Sequence, residues 1–209
     1  MKKIQEDKII ELFKDFKFLN NIQAISGKLP EVIFNELKEF TEIHRKIKNH
    51  ELNFLFEHYN VGLNSYQISV QKPFVETSFT FPFLISLGQF FLYKYYNISF
   101  QDTHRKLLLR ENVNHYDGYD LWINYTKQGD ENPFHNHGGF LTGVIYIQNT
   151  EKNPTIFLNN IKHYGLPGEI LMFPADLKHA VEKQIENTER ITMSFNLNFN
   201  NNLQYNVAK

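Results

Sequence analysis

The segment from Arg190 to Phe199 alternates polar and apolar residues without a break, and it constrains the fold more than any other part of the chain. A period of two is typical of a β-strand whose faces lie in different surroundings. The apolar set is Ile191, Met193, Phe195, Leu197 and Phe199, and the polar set is Arg190, Thr192, Ser194, Asn196 and Asn198. Because the polar set is short and carries one charge, it fits the wall of a pocket inside a barrel. A plain solvent-facing strand is the alternative.

Further short segments with the composition of strands follow one another through the C-terminal half. Turn residues (Gly, Pro, Asn and Asp) separate them. The segments are 120–125, 141–148, 154–158, 168–173, 179–184 and 189–199. Strands this short at this spacing favour an antiparallel sandwich or barrel.

The first hundred residues are predicted to be mostly helical. One helix is expected to begin at Leu29-Pro30-Glu31 and to end near Asn49, since proline suits the first turn. A second is expected over 80–96, with Thr80 as a candidate cap; it is apolar nearly all round, which indicates packing between other elements. An amphipathic segment follows at 100–111, and residues 59–76 are predicted to form a loop with a short strand. We expect a single domain, 1–209, with a mostly helical support at 1–114 and a β core at 115–200.

Composition excludes several classes of protein. The chain has 209 residues, of which 42% are hydrophobic, enough to fill a large core. A net charge of −1 offers no electrostatic footprint for nucleic acid. Without cysteine there is no disulfide, thiolate metal site or cysteine nucleophile, so any metal must bind histidine and carboxylate side chains. The N-terminus lacks the pattern of a signal peptide and no apolar run is long enough to span a membrane, so a soluble, cytoplasmic protein is expected.

Three histidines are spaced as metal ligands would be. His135 and His137 share one face of an extended strand, so both imidazoles could reach one ion. His179 opens a later strand that could return alongside them. Neutral imidazole suits Fe, Zn, Cu and Ni. A lone His-x-His pair is weak evidence, but Arg190, 11 residues after His179, adds a cation that could hold a carboxylate.

The order of these motifs resembles a known family. It comprises the Trp122–Tyr125 strand, His-Asn-His, the strand LTGVIYI, the segment GEILMFPADLKH and the strand RITMSFN. Residues 120–199 resemble the double-stranded β-helix of Fe(II)/2-oxoglutarate-dependent oxygenases, and the nearest branch is the prolyl-hydroxylase-like group, including uncharacterised oxygenases of marine bacteria and phages. The resemblance implies an α+β fold with a mainly β core: a jelly-roll, cupin-like barrel with N-terminal helices packed on one sheet.

The resemblance also implies roles for individual residues. His135 would be the first metal ligand and His179 the distal one, and Arg190 would grip the C5 carboxylate of 2-oxoglutarate. Thr192 would add a hydrogen bond to that carboxylate. Two further residues would contact the co-substrate: Tyr125, ten residues before the first ligand, and Asn196, at the metal-bound end.

One position departs from the family pattern, because His137 stands where the superfamily has Asp or Glu. Three interpretations stay open. His137 could be the third ligand of a three-histidine site. It could point aside and leave two histidines and a water, or another group such as a distant carboxylate could complete the set.

The implied activity uses Fe(II), with ascorbate as an optional reductant, and converts 2-oxoglutarate and O2 to succinate and CO2 while a substrate is hydroxylated. The substrate is a small molecule or, on analogy alone, a peptidyl group. A cupin-like three-histidine dioxygenase or isomerase without 2-oxoglutarate is one alternative, and a non-catalytic β-sandwich binding module is another.

The helices at 31–48 and 80–96 could serve a homodimer. Trp122 is expected in the core, and Tyr146 either in the core or at the co-substrate.

Overall fold

The computed structural model describes residues 2–48, 66–71, 77–103, 107–109, 118–150 and 152–199. They form four α-helices: α1 (Lys2–Leu12), α2 (Glu31–Lys48), α3 (Thr80–Tyr96) and α4 (Phe100–Thr103). The two long helices, α2 and α3, match the bounds expected from the sequence. None of the helices described is long and apolar enough to cross a membrane.

Twelve strands are described, and they build two antiparallel sheets. In chain order they are β1 (Lys17–Leu19), β2 (Ala24–Lys28), β3 (Tyr66–Gln71), β4 (Leu107–Leu109), β5 (Gly118–Thr126), β6 (Asn132–His135), β7 (Leu141–Gln148), β8 (Thr155–Phe157), β9 (Ile161–His163), β10 (Glu169–Pro174), β11 (His179–Val181) and β12 (Arg190–Phe199). The larger sheet has the order β1-β2-β10-β7-β12-β5-β3, with β4 also pairing with β12, and the smaller sheet has the order β6-β11-β8-β9.

Strands β5 to β12 pass back and forth between the two sheets. The larger sheet takes β5, β7, β10 and β12, and the smaller sheet takes β6, β8, β9 and β11. Two four-stranded sheets wound in this way make the double-stranded β-helix, so the expected jelly-roll core is confirmed.

The two faces of β12 meet different surroundings, as the alternation predicts. Its apolar face, from Ile191 to Leu197, joins the main hydrophobic core with side chains of α2 and α3. Its polar face turns toward the smaller sheet. Nine residues of helix α3 are buried, which explains why this helix is apolar nearly all round.

The N-terminal part is less purely helical than the sequence indicates. Strands β1 and β2 were not expected, yet β2 pairs with β10 over four residues and extends the larger sheet. The amphipathic segment at 100–111 divides into helix α4 and strand β4, while residues 104–106 and 110–111 lie outside the described part. Strand β3 is the short strand expected within 59–76, and residues 59–65 and 72–76 also lie outside it.

The start of α3 differs from the expectation that Thr80 caps it. Phe79 occupies the cap position without a side-chain hydrogen bond. Instead, the carboxylate of Glu36 on α2 accepts hydrogen bonds from the backbone N–H of Phe79 (3.0 Å), the backbone N–H of Thr80 (2.9 Å) and the Thr80 hydroxyl (2.6 Å). A helix N-terminus favours a negative charge, so one glutamate both caps α3 and ties it to α2.

Glu36→Ala is therefore expected to destabilise the protein by about 1–2 kcal/mol, because it leaves these N–H groups without their acceptor. Urea denaturation followed by circular dichroism measures the loss. Glu39→Ala, an exposed change on the same helix, is the control and is expected to change the free energy of unfolding by less than about 0.5 kcal/mol. Equal stabilities for the two variants would contradict the capping role.

Candidate active site

A cavity of about 280 Å³ lies between the two sheets. The larger sheet lines it with Gln67, Trp122, Asn124, Val144, Arg190, Thr192 and Ser194, and the smaller sheet with Asn132, His135, Thr155, His179 and Val181; His137 lines it from the loop after β6. The described lining includes one arginine, three histidines and no carboxylate.

The three histidines converge at one end of this cavity. His135 and His179 are direct partners across the β6–β11 pair. His137 follows in a loop after β6. Its backbone N–H donates a hydrogen bond to the carbonyl of Ala175 (2.9 Å), which holds the loop in place. One ring nitrogen from each histidine lies within 4.8 Å of the others. The sequence spacing therefore does bring His135, His137 and His179 together.

Backbone carbonyls orient two of these rings. Nδ1 of His135 lies 2.7 Å from the carbonyl oxygen of Pro133, and Nδ1 of His179 lies 3.0 Å from that of Leu177. A neutral imidazole that donates from Nδ1 leaves the Nε2 lone pair free, which is the form that ligates metals.

The environment of His179 keeps it neutral. Burial, together with the smaller effect of the nearby His135, lowers its pKa to about 4. Its Nε2 lies 3.3 Å from Nε2 of His137. Two imidazole nitrogens this close repel each other unless a proton or a metal ion lies between them, so the cluster has the geometry of a cation site.

Arg190 lies in the same cavity and is 2% exposed. Its Nη1 is 3.4 Å from the hydroxyl of Thr192, whereas its Nε and Nη2 have no hydrogen-bond partner among the residues that the structure describes. No ion pair joins it to an acidic residue in the described part of the chain. Burial lowers its pKa, yet a guanidinium stays charged in proteins. The described wall of the cavity thus contains a buried positive charge and no counter-charge.

Tyr146 packs beneath that guanidinium. Its ring centre lies 5.8 Å from the guanidinium carbon, and its hydroxyl lies 2.8 Å from the hydroxyl of Thr155. Burial raises the pKa of Tyr146 to about 12, so it stays a neutral phenol. Tyr146 is fully buried, as a core residue, but it also lies against the charged end of the cavity.

The expectation for Tyr125 needs correction. Tyr125 pairs with Ile191, a residue of the helix-facing side of β12, so its side chain points away from the cavity. Its hydroxyl donates to the carbonyl of Thr41 on α2 at 2.9 Å. The neighbouring residue Asn124, which pairs with Thr192, lines the cavity instead.

Two other expectations also change. Asn196 lies on the polar face of β12, but its side-chain amide donates to the carboxylate of Asp120 (3.2 Å), and it does not line the cavity. Trp122, expected in the core, lines the cavity instead. Its ring lies 5.4 Å from that of His137.

Sequence reasoning therefore missed Trp122, Asn124 and Gln67 on the larger sheet. The signal that could have found Trp122 and Asn124 is register. Residues that pair with Thr192 and Ser194 must share their face, and in β5 these are Asn124 and Trp122.

No protein-family model matches the chain, and no curated protein matches it. Solved structures do. A prolyl-4-hydroxylase from Pseudomonas putida superposes with a TM-score of 0.53 at 8% identity, over 90% of this chain and 97% of that chain.

One further structure shares this fold over most of its length, and another matches a smaller part of the chain. HygX from Streptomyces hygroscopicus, solved with nickel, 2-oxoglutarate and hygromycin B bound, gives a TM-score of 0.51 at 9% identity over 91% of this chain and 86% of that one. A protein of the 2OG-Fe(II) oxygenase family from Burkholderia pseudomallei matches over 37% of this chain and 42% of that chain, with a TM-score of 0.34 and 12% identity. The chain shares the double-stranded β-helix fold of the prolyl-4-hydroxylase and of HygX.

Proposed function

We propose that the protein is a non-haem Fe(II)/2-oxoglutarate-dependent oxygenase. The observation that carries this proposal is the buried guanidinium of Arg190, which pairs with no described acidic residue and lies in the same cavity as three converging imidazoles. The fold shared with solved oxygenases supports the same reaction class by analogy.

The histidine cluster fits a divalent transition metal. His135, His137 and His179 offer three nitrogen donors, and backbone carbonyls hold two of them with Nε2 available. We assign His137 as the third ligand, because its Nε2 faces that of His179. When bound, the iron supplies the activation of O2 and the oxidation of the substrate.

The guanidinium fits the remote carboxylate of a dicarboxylic acid. Burying an isolated charge is costly, so the cavity gains most from a ligand that brings a negative charge to Arg190. Nε and Nη2, which have no partner among the described residues, can donate to that carboxylate, and the Thr192 hydroxyl lies beside Nη1 of the same guanidinium. 2-Oxoglutarate carries a carboxylate at one end and a metal-chelating keto acid at the other.

The remaining contribution of the chain is orientation and shelter. Arg190 and Thr192 fix one end of the co-substrate, which orients the other end toward the histidines. The aromatic rings of Phe157 and Phe173 pack beside His179, with centroids 6.2 and 4.8 Å from its ring, and limit the access of water behind it.

The protein's substrate is proposed to be hydroxylated near Trp122, which lies against His137 at the metal end of the cavity. A peptidyl substrate is proposed on analogy with the prolyl-4-hydroxylase fold alone.

The metal assignment predicts one Fe(II) or Ni(II) per chain. His179→Ala is expected to abolish stoichiometric binding, and His137→Ala to weaken it by more than the ~10–100-fold that loss of a supporting hydrogen bond costs. Calorimetry with Ni(II) on metal-free protein measures both. His163→Ala, a histidine outside the cluster, is the matched control and should bind as the wild type does. Wild-type affinity in His137→Ala would show that His137 points aside.

The co-substrate assignment predicts two opposite effects of Arg190→Met. Without ligand, the variant should melt several degrees above the wild type, because it removes a buried unpaired charge (about 2–4 °C per kcal/mol in a chain of this size). Its affinity for 2-oxoglutarate should fall at least ~30-fold, the lower end of the cost of breaking a buried charge pair.

Thermal melts with and without 2-oxoglutarate, together with succinate formation by the iron-loaded protein, measure these effects. A cupin-like enzyme that does not use 2-oxoglutarate predicts no succinate from the wild type and no stabilisation by 2-oxoglutarate. A non-catalytic binding module predicts, in addition, no stoichiometric metal. Either result would reject the oxygenase proposal.

A further inference from the structure

The lining of the cavity has an unbalanced charge. Among the residues that the structure describes, Arg190 is its one fully charged side chain, and the other lining residues are histidines, amides, hydroxyls, a tryptophan and valines. A histidine that ligates a metal does so as the neutral imidazole. The histidine cluster therefore brings no negative charge to the site, whereas an Asp or Glu in place of His137 would bring one.

Asp120, the acidic residue of strand β5, does not supply the missing charge. It precedes Trp122 by two residues, so the two share one face of the strand. However, its carboxylate accepts a hydrogen bond from the amide of Asn196 (3.2 Å), and Asp120 does not line the cavity. The described residues that could hold a metal here are the three histidines alone. The described part of the chain thus offers no anion at the metal end.

The proposed metal and co-substrate do not restore the balance. A divalent metal and Arg190 together carry three positive charges, and 2-oxoglutarate brings two negative ones. One positive charge therefore remains in the loaded cavity. Because a charge acts more strongly in surroundings of low dielectric constant, the loaded cavity attracts a further anion.

The two ends of the cavity differ in how accessible they are. Arg190 is 2% exposed and His179 is 4% exposed, whereas His135 and His137 are only partly buried. Trp122, whose ring lies 5.4 Å from that of His137, is also partly buried. Since 2-oxoglutarate occupies the buried end at Arg190, the further anion has access to the metal end.

We propose that the substrate is an organic anion, and that its carboxylate binds at the metal end of the cavity beside His137 and Trp122. The inference rests on the proposed function, because the charge balance includes the metal and 2-oxoglutarate. The carboxylate balances the remaining positive charge, which a neutral substrate would leave buried and uncompensated. In a peptidyl substrate, the carboxylate belongs to an aspartyl or glutamyl side chain or to the C-terminus of the peptide.

Acetate and acetamide separate the effect of charge from that of shape, because they have nearly the same size and only acetate is charged. Co(II)-loaded protein is first saturated with 2-oxoglutarate, whose binding calorimetry measures, so that Arg190 is occupied. Proton NMR then follows the methyl signal of each probe, which the paramagnetic cobalt broadens when the probe binds beside it. Acetate is expected to bind at least about tenfold more tightly than acetamide. Zn(II)-loaded protein is the diamagnetic control for broadening that does not come from cobalt.

Two variants at position 137 differ by one charge. His137→Asp supplies the missing negative charge, so its affinity for acetate should fall at least about tenfold. His137→Asn is the matched uncharged variant, with a side chain of the same size as aspartate, and it should keep the preference for acetate over acetamide. Both are measured at cobalt concentrations that saturate the variant. The comparison of the two probes on the wild type decides the question if a variant does not bind cobalt.

The outcomes are distinguishable. A wild type that binds Co(II) but not 2-oxoglutarate rejects the proposed function itself. A wild type that binds 2-oxoglutarate but binds acetate no better than acetamide rejects the anionic substrate alone, and so does His137→Asp with undiminished affinity for acetate. Displacement of acetate by an equal concentration of chloride would assign the site to an inorganic anion and would also overturn the inference.

Discussion

A buried guanidinium, for which the described part of the chain supplies no counter-charge, is the constraint on which the site depends. Arg190 begins β12, the strand that pairs with both β5 and β7, so its backbone cannot move outward without breaking two ladders of the larger sheet. The side chain is held inside by the same alternation that puts Ile191 and Met193 into the core. Burying the charge costs free energy. The burial of the apolar face of β12 offsets this cost, because it stabilises the sheet by about 25 cal/mol per Å² of area removed from water. The fold can therefore hold a cation ready for an anionic ligand.

The sequence predicts this strand well because both of its faces are strongly marked. Apolar residues occupy every second position of β12, so only one orientation of the strand buries them in the core. Strand β5 is different. Leu121, Trp122 and Ile123 are apolar in succession, so the pattern does not say which face of β5 the following residues join. The expectations that Tyr125 contacts the co-substrate and that Trp122 lies in the core therefore both take the wrong face of β5, and only the pairing of β5 with β12 decides between the faces.

The histidines were predictable for a local reason and the N-terminal strands were not. His135 and His137 are two residues apart, and His179 begins a strand after a Phe-Pro turn; both signals lie within a few residues. Strands β1 and β2 are three and five residues long, and β2 contains Ser26 and Gly27. β2 becomes a strand because the edge of β10 offers hydrogen bonds to it, and β1 in turn pairs with β2; this is a tertiary effect that no local pattern carries.

The three-imidazole cluster has a consequence for how the protein must be handled. Nitrogen donors bind the divalent ions of the first transition row in a fixed order of strength, and Fe(II) ranks below nickel, copper and zinc. No described side chain adds an anionic oxygen donor to the cluster that would favour a harder ion. For the proposed iron enzyme, chromatography on immobilised nickel would therefore leave the wrong ion behind. Turnover by such an enzyme would require a chelator to remove the nickel and iron to be added under anaerobic conditions.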